Sequence, residues 1–199
     1  MMTIFSLIVL LLSTIIHEIA HGSMAYYLGD PTAKNEGRLT VNPLMHLDPF
    51  GSIFLPLSLL ILSRGQGPIF GWAQPVPINP YNFRDRRWGA VKVALAGPAT
   101  NFIIGVVFSL ICRFFVIAEP LKVLFEIIII YNFAWAIFNL MPIPPLDGHW
   151  ILFSFLGKRW DGVKIFLSQY GFFILLFFIL FGLSWVFYGA EVLYFLIAG

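Results

Sequence analysis

Charge and thiols are what this sequence has least of. Its 199 residues include 12 Lys and Arg and 10 Asp and Glu, so only 11% are charged, against ~25% in an ordinary globular chain. A water-facing surface cannot be built from so few ions, which excludes a conventional soluble domain. The net charge of +2 supplies no basic field, so no nucleic-acid partner is expected. The single cysteine, Cys112, excludes an intramolecular disulfide and a thiolate-based zinc site. It lies in an apolar run, where a free thiol packs as a small hydrophobe. No Lys or Arg precedes the first apolar run and no small-residue cleavage pattern follows it, so that run reads as a retained helix and not as a signal peptide. Repeats and low-complexity linkers are also missing. One domain, 1–199, is therefore expected, with a core over 1–150 and C-terminal apolar helices over 151–199.

What is present is apolar. Hydrophobic residues make up 59% of the chain, 22 residues are Phe, and the mean hydropathy is +0.88. A helix needs ~20 apolar residues to cross the hydrocarbon core. Candidate segments are Met2–Tyr27, 53–62, 91–117, 121–141, 165–181 and 183–197. The expected fold is an all-α polytopic membrane protein with about five to six membrane segments. The run 53–62 is short and contains Pro56, and a Gly/Pro-rich stretch, 65–80, follows it. It is expected to enter the membrane and return, with 65–80 coming back as an extended, β-like segment near the active site. Irregular backbone at membrane depth is tolerated only where protein or a water-filled cavity covers it.

Basic residues set orientation, because cytoplasmic flanks are enriched in Lys and Arg. With the first helix running inward, Lys34, Arg38, Arg64, Arg84, Arg86, Arg87, Lys92, Lys158, Arg159 and Lys164 are all cytoplasmic, and only Arg113 and Lys122 are outside. The segment 183–197 is slightly short for a crossing, and the sequence leaves open whether it spans or lies flat.

The sharpest chemical signal is His17-Glu18-Ile19-Ala20-His21. Residues four apart on a helix share a face, one turn apart along the axis. Both imidazoles can therefore reach one zinc ion, and Glu18 projects close enough to act as general base on a water held there. Three ionisable residues within five positions of a spanning helix are costly, and a shared metal explains them. His21 lies about six residues before Tyr27, so the site sits ~9 Å inside the helix end. Catalytic zinc takes a third protein ligand. Candidates are His46, Asp48, Asp147 and His149. Asp147 follows Pro142, Pro144 and Pro145, which stop a helix and leave unwound backbone to return a carboxylate toward the membrane. It lies at the same end of the bundle as His21, which favours it. Turn chemistry accounts for Asn42, Pro43, Asp48 and Pro49 without a metal, and His46 remains an alternative ligand or a group supporting one.

These residues resemble the site-2 protease family of polytopic zinc metalloproteases, in a small bacterial-type form. The match lies in His17-Glu-Ile-Ala-His-Gly22, in Asn139-x-x-Pro-x-Pro-x-Leu-Asp-Gly148 and in Ala96-Gly-Pro-Ala-Thr-Asn101, with further likeness over 42–52 and 70–79. The resemblance implies zinc ligands His17, His21 and Asp147, one Zn2+, a catalytic Glu18, and a role for Asn139 in binding substrate backbone or the oxyanion. Asn101 is assigned alongside it, with helix–helix hydrogen bonding as the alternative for both and close packing as the reading for Gly97. It implies an endopeptidase acting on transmembrane protein substrates in the lipid bilayer of a bacterial or archaeal cell membrane, with its active site toward the cytoplasm. Two features that some relatives in the family have are not expected from this sequence: a PDZ-like insertion and a spanning helix before the zinc helix. Their absence leaves substrate selection to bilayer access or to a regulatory membrane partner. An inactive zinc-binding scaffold and a metal or solute transporter are the alternatives. The intact motif argues against the first, and the missing repeat argues against the second.

Overall fold

A computed structural model describes residues 2–62, 74–86 and 88–199. In chain order its helices are α1 (Met2–Tyr27), α2 (Thr32–Asn35), α3 (Leu55–Leu62), α4 (Gly89–Phe114), α5 (Glu119–Asn139), α6 (Gly148–Phe155), α7 (Asp161–Phe181) and α8 (Leu183–Ala198). Four helices among the described residues are long and apolar enough to cross a membrane: α1, α4, α5, and α7 with the turn before it. The protein is an all-α polytopic membrane protein. The sequence did not announce α6. It is eight residues long, below the length at which hydrophobic periodicity distinguishes a helix from a buried run.

The long helices pair antiparallel, and small side chains set how closely they approach. Asn101 of α4 donates to the Ser13 carbonyl of α1, and His21 reaches the Val93 carbonyl one end further along. Between α4 and α5, Gly105 lies flat against the Phe133 ring, so a Cβ there would overlap it. Phe108 meets Phe125 edge-on. The apolar core gathers Ile129, Phe133 and Ala134 of α5 with Val186 and Ala190 of α8. Close packing holds this pair, since lipid offers apolar surface equally well and burial alone does not discriminate.

The last helix packs back against α5. Gly189 packs on Ile137, Phe187 on Tyr131, and the Tyr194 hydroxyl donates to Glu126, so α8 runs antiparallel to α5. Arg113 Nη1 donates to the Ile197 carbonyl at 2.8 Å, which ties the end of α8 to the end of α4. The N-terminus of α1 and the C-terminus of α8 thus lie at one end of the bundle. Helix α7 leans on the other end, with Gly171 against the Pro144 backbone and Phe178 facing Phe138.

The expected entry and return of 53–62 falls partly outside the described residues, since 63–73 are not among them. What is described is a π-helical turn, Pro49–Phe54, leading into α3. Asp48 caps that turn by accepting from the Gly51 N–H, which is the turn role its sequence suggested. At eight residues, α3 reaches ~12 Å, far short of a crossing by itself.

Residues 74–79 form neither helix nor strand and lie like a strap across the end of the bundle where α1 stops. The Gln74 N–H donates to the His46 carbonyl at 2.8 Å. Arg38, which is buried, donates Nη2 to the Gln74 carbonyl at 2.9 Å and to the Pro75 carbonyl at 3.3 Å. Asp30, fully buried just after α1, accepts from the Asn79 N–H at 2.7 Å, the Asn82 amide at 2.8 Å, and the Thr32 N–H and hydroxyl. Burial works to raise the Asp30 carboxyl, but these donors outweigh it and hold it below the usual carboxylate range. Its stabilising effect is therefore complete above the unfolded value of ~3.9 and is lost as pH falls through the lower folded value. Asp30→Ala is expected to cost about 2–3 kcal/mol in thermal unfolding at neutral pH, with the difference from the parent protein shrinking in strong acid.

Candidate metal centre

The bundle brings three sequence-distant groups to one point. His17 and His21 leave α1 on its buried face. Asp147 arrives from the turn between α5 and α6, where the chain can no longer continue the helix past Pro142, Pro144 and Pro145. Asp147 Oδ2 stands 3.0 Å from His17 Nε2 and 3.2 Å from His21 Nε2. One ligand atom from each of the three lies within 4.8 Å of the other two.

The opposite ring nitrogens are already engaged. His17 Nδ1 is 2.7 Å from the Asn101 side-chain oxygen, and His21 Nδ1 is 2.7 Å from the Val93 carbonyl. Both partners only accept, so in the neutral rings each Nδ1 carries the proton and each Nε2 is bare. Two bare nitrogens and a carboxylate oxygen, with the oxygen 3.0 and 3.2 Å from the nitrogens, repel one another unless a metal ion or added protons lie among them. Two imidazoles and one carboxylate form a donor set that suits zinc. Space for it is reserved by Gly97 of α4: a Cβ there would sit 2.5 Å from both Nε2 atoms. Sequence alone suggested close packing for Gly97, and the structure adds that what it packs against is the imidazole pair.

A cavity of about 310 Å³ opens on these groups. Besides His17, His21 and Asp147 it presents Glu18 and Asn139, and the remaining wall is apolar, including Val76, Phe83, Ala94 and Trp150. Glu18 Oε2 accepts from the Val76 N–H of the strap at 2.9 Å, which fixes the carboxylate at the rim. The Asn139 amide nitrogen donates to the Trp135 carbonyl at 2.9 Å, leaving its oxygen and second N–H for the cavity.

Other candidates lie elsewhere. Asn101 is fully buried behind His17 and does not line the cavity. His46 is buried too, donating from Nε2 to the Thr40 carbonyl at 2.8 Å, and its own carbonyl anchors the strap. His149 donates from Nδ1 to the Leu146 carbonyl at 2.6 Å in the first turn of α6. Sequence reasoning missed Asn132, Asp30 and Arg38. Asn132 had a signal, being a polar residue inside an apolar span seven positions before Asn139. Arg38 counted only as an orientation marker, yet it clamps the strap.

Comparison with known proteins follows the same lines. Over 184 residues the chain is 39% identical to "Putative zinc metalloprotease YwhC" of Bacillus subtilis, covering 86% of this chain and 78% of that protein. The chain belongs to peptidase family M50, the site-2 protease family. The model of that family matches residues 115–178. A second relative, "Putative zinc metalloprotease Rip2" of Mycolicibacterium smegmatis, is 30% identical over 82% of this chain and 62% of its own length. "Zinc metalloprotease MJ0392" of Methanocaldococcus jannaschii is 32% identical over 45% of this chain and 27% of its own. No solved structure matches the chain at a significant level. The M50 chain is thus a zinc metalloprotease and an integral membrane protein.

Gly97→Ala is expected to lower zinc affinity at least ~10-fold, the scale on which supporting groups of a metal site act, while the helical signal in circular dichroism is unchanged. Chelator competition measures it.

Proposed function

We propose that this protein is an endopeptidase that hydrolyses peptide bonds of membrane-spanning substrates near the cytoplasmic face. In this reading His17, His21 and Asp147 hold one zinc ion and Glu18 is the general base. The observation that carries it is the convergence of three lone-pair donors on one point with the Glu18 carboxylate at the same cavity. Bound zinc would supply Lewis acidity at that point.

The rest follows from the chain's own residues. Glu18 takes the proton of the attacking water and returns it to the leaving amine. The Val76 N–H keeps the Glu18 side chain turned toward the cavity. The free edge of Asn139 is available to hydrogen-bond the substrate backbone or the developing oxyanion. The wall of Val76, Phe83, Ala94 and Trp150 admits apolar side chains of an unwound transmembrane segment and excludes bulk water around the scissile bond. A cytoplasmic position for the site is supported by the basic residues Lys34, Arg38, Arg84 and Lys92, which belong to the end of the bundle where α1 stops and α4 starts.

Glu18→Gln should lower cleavage of a labelled transmembrane peptide by ~10²–10⁴-fold while one zinc per chain is retained. Asp147→Asn should reduce both zinc content and cleavage. Wild-type rates in Glu18→Gln would refute the role given to Glu18, and full zinc occupancy in Asp147→Asn would remove Asp147 from the ligand set.

A further inference from the structure

A chain of amide side chains runs behind the metal centre through three helices. It begins at the Ile128 carbonyl of α5, which accepts from the Asn132 side-chain nitrogen at 2.8 Å. The Asn132 oxygen accepts from the Asn101 nitrogen at 2.9 Å. That same nitrogen donates to the Ser13 carbonyl of α1 at 3.2 Å. The Asn101 oxygen then faces His17 Nδ1 at 2.7 Å. Asn101 and Asn132 are 0% and 2% exposed, so water competes at neither.

The direction of this chain is determined, because backbone carbonyls only accept. The Ile128 carbonyl forces the nitrogen of Asn132 toward it, so the Asn132 oxygen must point at Asn101. The Ser13 carbonyl and the Asn132 oxygen together force the Asn101 nitrogen toward them. The Asn101 oxygen is left for His17, and His17 must put its proton on Nδ1. His21 has no such dependence, since a backbone carbonyl, Val93, sets its tautomer directly. The two imidazoles therefore differ in what can disturb them: His17 depends on two side chains and His21 on none.

We propose that Asn132 is a positioning residue that, through Asn101, fixes the tautomer and ring orientation of His17 from a helix that contributes no ligand of its own. The consequence for zinc rests on the ligand set proposed above, but the tautomer does not. Asn132 touches neither the cavity nor the ligand atoms. Its amide is buried in a membrane helix, where an unused polar group is disfavoured, and the relay gives each of its atoms a partner.

The test uses full-length protein in detergent with 15N-labelled histidine. In the metal-free parent protein the His17 signals, assigned by loss in His17→Ala, should show a single neutral tautomer with Nδ1 protonated. Asn132→Leu should give a mixture of tautomers at His17 with the His21 signals unchanged. In parallel, Asn132→Leu should bind zinc ~10–100-fold more weakly and should alter the visible spectrum of the cobalt-substituted protein. Asn132→Asp keeps an oxygen facing the Asn101 nitrogen and should restore the tautomer and most of the affinity. A His17 tautomer unchanged in Asn132→Leu would overturn the proposal even if that variant melts at a lower temperature, because Asn132 would then be only a packing residue. A shifted tautomer in a protein whose zinc content is insensitive to His17→Ala would uphold the relay and overturn the ligand set instead.

Discussion

Everything in this molecule depends on the repulsion among three lone pairs. Asp147 Oδ2 lies 3.0 and 3.2 Å from the Nε2 atoms of His17 and His21, and in the neutral rings Asn101 and Val93 hold the imidazole protons on the far side. In a mostly lipid-surrounded bundle a bound cation stabilises such an arrangement. The rest of the fold supplies what that cluster needs. A glycine leaves the space, a proline-broken turn delivers the carboxylate, and the Asn101 amide and the Val93 carbonyl face the far nitrogens of the two rings. A strap sets Glu18 at the cavity rim.

The strap connects the site to the loop that follows α1. Asp30, Arg38 and His46 belong to the segment that follows α1, and each holds a different part of 74–79. The Val76 N–H at the centre of that segment reaches Glu18. The position of the Glu18 carboxylate therefore depends on residues well outside the spanning helices, and disturbing the loop changes the site without touching a ligand.

Much of this was legible in the sequence because membrane burial makes polar residues conspicuous. The spacing of His17 and His21 on one helix face needed only helical geometry, and α1 ends at Tyr27 as its apolar pattern indicates. Asp147 stood out because three prolines precede it. The lack of helix over 74–79 agrees with its proline content. What escaped was tertiary. Asn132 sits in an apolar run with no local pattern to give it a partner, and its role appears only when α4 brings Asn101 beside it. Arg38 looked like one more cytoplasmic cation, since nothing local says that its guanidinium will be buried under the strap. Helix α8 looked short for a crossing, and only its contacts with Ile137, Tyr131 and Glu126 show that it follows α5 back through the bundle. Asn101 was grouped with substrate-binding residues because its motif resembles the family's, whereas burial behind His17 gives it a different neighbour.

The central claim is that one zinc ion sits among two imidazoles and one carboxylate. X-ray absorption at the zinc edge of the purified protein addresses it most directly. The account predicts nitrogen and oxygen neighbours only, at ~2.0–2.2 Å, with two imidazole scattering patterns, and loss of one pattern in His17→Ala. A sulfur neighbour at ~2.3 Å, or a spectrum unchanged by removing His17, would contradict it.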